Sequence, residues 1–162
     1  MENSFIDETE NKRMNEYMEL DNLTLRTHTE KSGDILDLEL LEKSREDAKK
    51  TNCFFEERVS DKLAAYATII EKQEGTWFVL MFNTHPSFRN SKILLLLFKK
   101  ILKRIYQSNG KCLQSNVYKQ NELSVKFHEK LGFKLTKEND KGIEFTLDLT
   151  NPATNKWYVM LN

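Results

Sequence analysis

The apolar positions of this chain change rhythm several times, and each change marks an element. Residues 76–82 are apolar on both faces, with Trp77, Val79 and Met81 on one and Phe78, Leu80 and Phe82 on the other. A strand without alternation is covered on both sides, so this one is central. Two further strands precede it, at 53–58 and 63–71, joined by the turns Ser60-Asp61-Lys62 and Gln73-Glu74-Gly75. Such short turns predict an antiparallel meander. Pro86 ends the central strand. Ile93, Leu94, Leu97, Phe98, Ile101, Leu102 and Ile105 then recur at helical spacing, with Lys99, Lys100, Lys103 and Arg104 opposite them. Asn90 or Ser91 caps this helix, which runs to about Gln107. Asn109-Gly110 turns the chain into a strand at 111–117, and the helical link between the two strands permits a parallel crossover. Asn121 starts a short helix with Val125, Phe127 and Leu131 facing in, and Gly132 is its left-handed stop. A hairpin closes the pattern: 133–137, the turn Asn139-Asp140-Lys141-Gly142, and 143–150, where Ile143, Phe145, Leu147 and Leu149 alternate with polar residues.

The N-terminal part reads differently. Residues 22–29 alternate Leu23, Leu25 and Thr27 with Thr24, Arg26 and His28, which predicts a half-buried strand. Ser32 then caps a helix that reaches about Lys50, its stripe made of Ile35, Leu36, Leu38, Leu40 and Leu41. Residues 1–21 read as an acidic extension with a short amphipathic helix around Met14, Tyr17 and Met18. Residues 151–162 form a tail whose Trp157, Tyr158, Val159 and Met160 pack back onto the body or onto a partner. The expected architecture is mixed α/β (α+β): a mostly antiparallel central sheet of six to seven strands flanked by helices, in one domain over 22–150.

Composition supports a folded chain, with 39% hydrophobic and 31% charged residues. The longest apolar run, 93–98, is far below the ~18 residues that a membrane span needs. Cys53 and Cys112 are isolated, so no metal site is expected, and two free thiols suit a reducing, cytoplasmic setting. The formal net charge is zero, yet acids dominate up to Arg58, while 85–137 is rich in Lys and Arg. A basic half attracts phosphate, whether of a nucleotide cofactor or of a nucleic acid. No basic stripe interleaved with aromatics supports nucleic acid, which ranks last.

Two motifs carry a resemblance. Residues 121–133 read Asn-Glu-Leu-Ser-Val-Lys-Phe-His-Glu-Lys-Leu-Gly-Phe, and residues 84–89 read Thr-His-Pro-Ser-Phe-Arg. Their order and separation resemble the GNAT superfamily of N-acetyltransferases. In the first, Asn121, Ser124, Gly132 and Phe133 match the family, and His128 stands at its Tyr position. The resemblance implies acetyl-CoA as cofactor and an amine, on a small molecule or a protein, as acceptor. It implies cofactor contacts from Phe82 and Thr84 at the strand end, from Arg89, Asn90, Ser91, Lys92 and Ile93 at the helix start, and from Asn121, Ser124 and Phe127. Independently of the family, a helix N-terminus with an adjacent Arg is a ready phosphate site. The sequence departs from the family at Lys92 and Leu94, where small residues are usual. Lys92 either folds over to pair with a phosphate or obstructs it, and Leu94 packs inward or narrows the groove.

His128 is the expected proton donor to the leaving thiolate, its near-neutral pKa suiting the role, against a second reading as a helix residue without a role. Glu71 and His85 are the candidate bases. Two functions follow: an acetyl-CoA-dependent N-acetyltransferase, or a GNAT-like scaffold without catalysis that serves as a protein-binding module of phage or regulatory type. Exposed strand edges also allow a homodimer.

Overall fold

A central sheet of six strands organises the described residues, and four helices pack against it. The computed structural model describes residues 2–151 and 156–157, with side chains from residue 8. α1 (Glu2–Lys31) and α2 (Leu38–Lys50) come first. β1 (Phe54–Val59), β2 (Lys62–Gln73) and β3 (Thr76–Thr84) follow as an antiparallel meander. A 3₁₀ turn at Pro86–Phe88 leads to α3 (Ser91–Gln107), then β4 (Cys112–Tyr118), α4 (Glu122–Leu131) and the hairpin β5 (Lys134–Glu138) and β6 (Gly142–Asp148). The strand order is β1-β2-β3-β4-β6-β5. β3 and β4 run parallel, and every other neighbouring pair is antiparallel. The expected fold class and the meander, crossover and hairpin are therefore present. Among the described residues no helix is long and apolar enough to cross a membrane.

The stripe predicted for α3 is its buried face: Leu97, Ile101, Leu102 and Ile105 are inaccessible and join Ala65, Ala67 and Ile69 of β2 in the main core. Burying a side chain of this size contributes about 1.5–3 kcal/mol. The N-cap is Asn90, whose Oδ1 accepts from the Ile93 N–H at 3.0 Å. Asn121 caps α4 in the same way, accepting from the Ser124 N–H at 3.3 Å. Gly132 ends α4 with φ at +101°, a conformation that a side chain would strain. Trp157 is buried edge-on to Phe98 and donates from Nε1 to the Leu131 carbonyl at 2.8 Å, so this part of the tail packs back on the body. Tyr158, Val159 and Met160 lie outside the described residues.

Three expectations are corrected. Residues 22–29 are helix, not strand, and α1 runs unbroken from Glu2 to Lys31. The inward face is Tyr17, Leu20, Asp21, Thr24 and His28 at helical spacing, and its polar members hid the period. Ser32 does not cap a helix: it closes α1, its N–H donating to the His28 and Thr29 carbonyls at 3.2 Å. The cap of α2 is Asp37, which accepts from the Leu40 N–H at 3.1 Å. Nor is the leucine stripe the buried face of α2. Ile35 is 92% exposed and Leu40 62%, while Arg45 and Ala48 are buried.

Candidate functional site

The site begins where two parallel strands part. β3 and β4 pair at four positions, from Thr76 with Cys112 to Val79 with Ser115. β3 continues to Thr84, held by β2, and β4 to Tyr118, held by β6. Each strand is therefore fixed on its outer side while the inner edges open as a V. Backbone N–H and C=O groups on those inner edges lose their ladder partners, which leaves them for a ligand. A cavity of about 300 Å³ lies at the open end, lined by Phe82, Asn83 and Thr84 of β3, Arg89 and Leu94 at the start of α3, Asn121, Leu123, Ser124 and Phe127 of α4, and Thr24, Leu25 and His28 of α1.

A buried polar cluster sets α1 on this cavity. Asp21 of α1 is inaccessible and pairs with Arg45 of α2, which is 2% exposed. The same carboxylate accepts from the Tyr66 hydroxyl and, at 2.7 Å, from Asn83 Nδ2. Arg45 also lies over the rings of Tyr17 and Tyr66 at 5.4 and 5.5 Å. Burial holds the Asp21 carboxyl above its usual range despite these partners, and it lifts the Tyr66 phenol as well. Because Asn83 belongs both to this cluster and to the cavity wall, the helix pair and the site floor are one hydrogen-bonded unit.

Of the residues expected from the sequence, Phe82, Thr84, Arg89, Asn121, Ser124 and Phe127 come together around the cavity. Asn90, Ser91 and Lys92 are exposed at the start of α3, and Ile93 is buried beneath them. The Asn90 cap occupies the Ile93 N–H, while the N–H groups of Ser91 and Lys92 have no partner among the described residues. Glu71 is not brought near: it pairs with Trp77, whereas Thr84 pairs with Ala65. Six strand positions separate the two, roughly 20 Å. His85 caps the 3₁₀ turn, its Nδ1 accepting from the Ser87 N–H at 3.1 Å, and it lines a different cleft with Glu16 and Leu20.

His128 lies behind the apex of the V. Its ring stacks on Phe145 at 5.1 Å and meets Phe133 edge-on at 5.0 Å. Nδ1 faces the Ser124 carbonyl at 2.7 Å, and Nε2 faces Ser115 Oγ at 2.8 Å. A carbonyl only accepts, so the proton is on Nδ1 and Nε2 takes the hydroxyl's hydrogen bond. Burial pushes the imidazole pKa below its usual value, keeping this neutral tautomer.

Sequence reasoning missed His28, Thr24, Leu25, Asn83 and Leu123. The available signal was the four-residue step from Thr24 to His28, read instead as strand alternation. His28 Nδ1 is buried without a hydrogen-bond partner. Burial, then the charges of Lys31 and Arg89, push its pKa down. On the other flank of β4, a cleft of about 620 Å³ lies between the α1–α2 loop and the β5–β6 turn, where the Tyr118 hydroxyl donates to Asp34 Oδ2 at 3.1 Å.

Against known proteins, residues 15–133 match the Acetyltransferase (GNAT) family. The chain belongs to the GNAT acetyltransferase family. No curated protein matches the sequence. Among solved structures this GNAT chain is similar to the PaiA N-acetyltransferase of Thermoplasma acidophilum in complex with coenzyme A, at 13% identity and a TM-score of 0.68, covering 85% of this chain and 93% of that one. It is similar to an acetyltransferase of Streptococcus agalactiae at 18% identity and a TM-score of 0.66, covering 83% and 90%. It is also similar to the ribosomal-protein-alanine N-acetyltransferase of Brucella melitensis at 12% identity and a TM-score of 0.64, covering 85% and 92%. At such identities the likeness is one of fold, and the GNAT frame of this chain carries its own choice of side chains at the site.

Proposed function

We propose that this chain transfers an acetyl group from acetyl-CoA to an amine. The V between β3 and β4, with a cavity at its mouth, in a chain of an acetyltransferase family, carries the reading. The coenzyme A bound to the Thermoplasma relative supports it. The residues present fit such a cofactor. Arg89 and the N–H groups of Ser91 and Lys92 offer positive charge and donors for a pyrophosphate, and Lys92 is exposed and can swing over it rather than block it. Leu94, half-buried in the cavity wall, gives the pantetheine arm an apolar side with Phe82 and Phe127. The unpaired inner edge of β3 offers backbone groups to the arm's amides and an N–H to the acyl oxygen.

Bound there, acetyl-CoA supplies a thioester carbonyl that an amine nitrogen attacks, forming the C–N bond as the C–S bond breaks. We assign the proton to Ser115 and His128. Ser115 is the last residue of β4 paired with β3, so this pair sits where the V begins. Ser115 Oγ takes the amine's proton as it passes its own to Nε2, and the reverse path returns a proton to the departing thiolate. The amine enters through the cleft between the α1–α2 loop and the β5–β6 turn. We place the reaction in the cytoplasm, in keeping with the free thiols of Cys53 and Cys112.

Calorimetry with acetyl-CoA tests the reading. We expect saturable binding, weakened about tenfold or more in Arg89→Ala, the loss of a charge-assisted contact. Release of free thiol with spermidine, lysine or an N-terminal peptide as probe amine should fall sharply in Ser115→Ala and His128→Asn while binding remains. No heat at millimolar acetyl-CoA would sink the proposal. A second reading, a scaffold that no longer takes the cofactor, draws on two observations: Leu94 lines the cavity, and Asn90 occupies the Ile93 N–H. It predicts that Leu94→Gly creates binding that the parent lacks.

A further inference from the structure

α1 brings a charge arrangement to the cavity that its hydrogen bonds do not explain. His28 lines the cavity with its Nδ1 buried and unpartnered. Lys31 stands one turn further along the same helix, and Arg89 lines the cavity from the loop before α3. β3 contributes Phe82, Asn83 and Thr84, and α4 contributes Asn121, Leu123, Ser124 and Phe127, so no carboxylate lines this cavity among the described residues. On α1 the Glu30 carboxylate is paired with Arg26 at 3.1 Å, and on α4 Glu122, between the lining residues Asn121 and Leu123, is exposed. Two basic side chains, His28 and Arg89, thus line this cavity from two elements with no carboxylate in its described wall, Lys31 stands one turn on, and His28 Nδ1 lacks a hydrogen-bond partner. Like charges held together raise the free energy of the empty site, and an anion between them reverses the sign of that interaction.

We propose that His28 and Lys31 of α1 close with Arg89 on the pyrophosphate of acetyl-CoA, so that α1 forms a second jaw of the phosphate site and binding takes up a proton at His28. The proposal rests on the acetyl-CoA reading and adds to it a residue set and a linkage. The resting imidazole is neutral, held below its ordinary value of 6.5 by burial and by the charges of Lys31 and Arg89. A phosphate beside Nδ1 favours the imidazolium, which carries the opposite charge and donates from both ring nitrogens where the neutral ring donates from one. The bound pKa therefore lies above the free one, and affinity rises as pH falls between the two, by at most about tenfold per pH unit for a single proton. The buried cluster of Asp21, Arg45, Tyr66 and Asn83 keeps α1 in register, so the jaw is preset.

The test is calorimetry of the full chain with acetyl-CoA, from pH 5.5 to 8, in buffers of different ionisation enthalpy. The expected result is net proton uptake near neutral pH. In His28→Asn the uptake disappears and affinity falls about ten- to hundredfold at the acid end. Lys31→Gln weakens binding more modestly and leaves the uptake in place. S-acetylpantetheine, which lacks the phosphates, should bind wild type and His28→Asn alike. If acetyl-CoA binds wild type without proton uptake and with unchanged affinity in His28→Asn, the clamp is overturned while the acetyltransferase reading stands. If acetyl-CoA does not bind wild type at all, both fall. If His28→Asn weakens S-acetylpantetheine equally, His28 supports the arm rather than the phosphates and the clamp is overturned. Circular dichroism of each variant, with the wild-type uptake as a measurement that needs no substitution, guards against a folding artefact.

Discussion

The α3 face of the sheet and the α1–α2 face are held by different physics, and the contrast explains much about this chain. Under α3 the contacts are apolar: Leu97, Ile101, Leu102 and Ile105 meet Ala65, Ala67 and Ile69 in one continuous core. Under α1 and α2 the apolar cluster is small, with Tyr17, Leu20, Leu63 and Tyr66, and its centre is the ion pair of Asp21 and Arg45. Apolar packing is graded, since each side chain contributes nearly on its own. A buried ion pair is conditional, because each partner is tolerable only while the other is present. The graded half carries the strands that open the V, and the conditional half carries the helix that roofs the cavity.

The sharpest way to test that contrast is to remove one partner of the pair. Asp21→Ala leaves a guanidinium 2% exposed without its carboxylate, and Arg45→Ala strands the acid. Each should cost about 3–5 kcal/mol, a large share of a domain's stability. The double variant Asp21→Ala with Arg45→Ala should cost much less than the sum, seen as a coupling energy in urea denaturation. Additive losses would mean that the two halves are held alike. Leu97→Ala on the other face comes next, at about 2–5 kcal/mol, and it should add to Asp21→Ala without coupling.

This difference also decided what could be read from the sequence. The meander, the crossover, the Asn90 and Asn121 caps and the Gly132 stop were legible because apolar periodicity and cap chemistry agree there. The same unit placed Phe82, Thr84, Arg89, Asn121, Ser124 and Phe127 around one cavity. Residues 22–29 were not legible, because the inward face of α1 carries Asp21, Thr24 and His28, and polar residues that look outward in a pattern here point inward. Hence the strand expected there is a helix, and His28 was overlooked. The leucines of the α2 region misled in the opposite sense: Ile35 and Leu40 are exposed, and Arg45 is buried. Glu71 was a natural suspicion from its strand alone, but the register of β2 on β3 sets it at the far end of the sheet.

His128 sharpens the comparison from the strand side, since it and its partner Ser115 are polar groups on the otherwise graded face. Its folded pKa is depressed, so its contribution to stability is present above the unfolded value of about 6.5 and is lost as pH falls through the folded value. Protonation also turns Nε2 from acceptor to donor, so the Ser115 hydroxyl proton has to find another acceptor. The melting temperature should therefore drop as pH falls below about 6.5 in wild type, and that slope should flatten in His128→Asn. At pH 7 the variant should lose about 1–3 kcal/mol through the unsatisfied Ser115 hydroxyl. An unchanged slope would show that His128 is not the buried neutral group described above.

The smallest expected effect bears on the least legible element. Arg26 bonds Asn22 Oδ1 and, at 3.1 Å, Glu30 Oε1, four residues away on either side. In a helix such residues are neighbours on one face, worth about 0.2–0.5 kcal/mol per pair and screened by salt. In a strand, four residues span roughly 13 Å and no such coupling exists. Arg26→Gln should thus lower stability by a few tenths of a kcal/mol at low salt and by less at high salt, and Glu30→Gln should remove the Glu30 share of that loss rather than a second increment. The cycle of these two variants reports directly on the helical phase of residues 22–30. It does so on the solvent side of α1, away from Asp21, so a coupling found there belongs to the helix itself and not to the buried cluster that docks it.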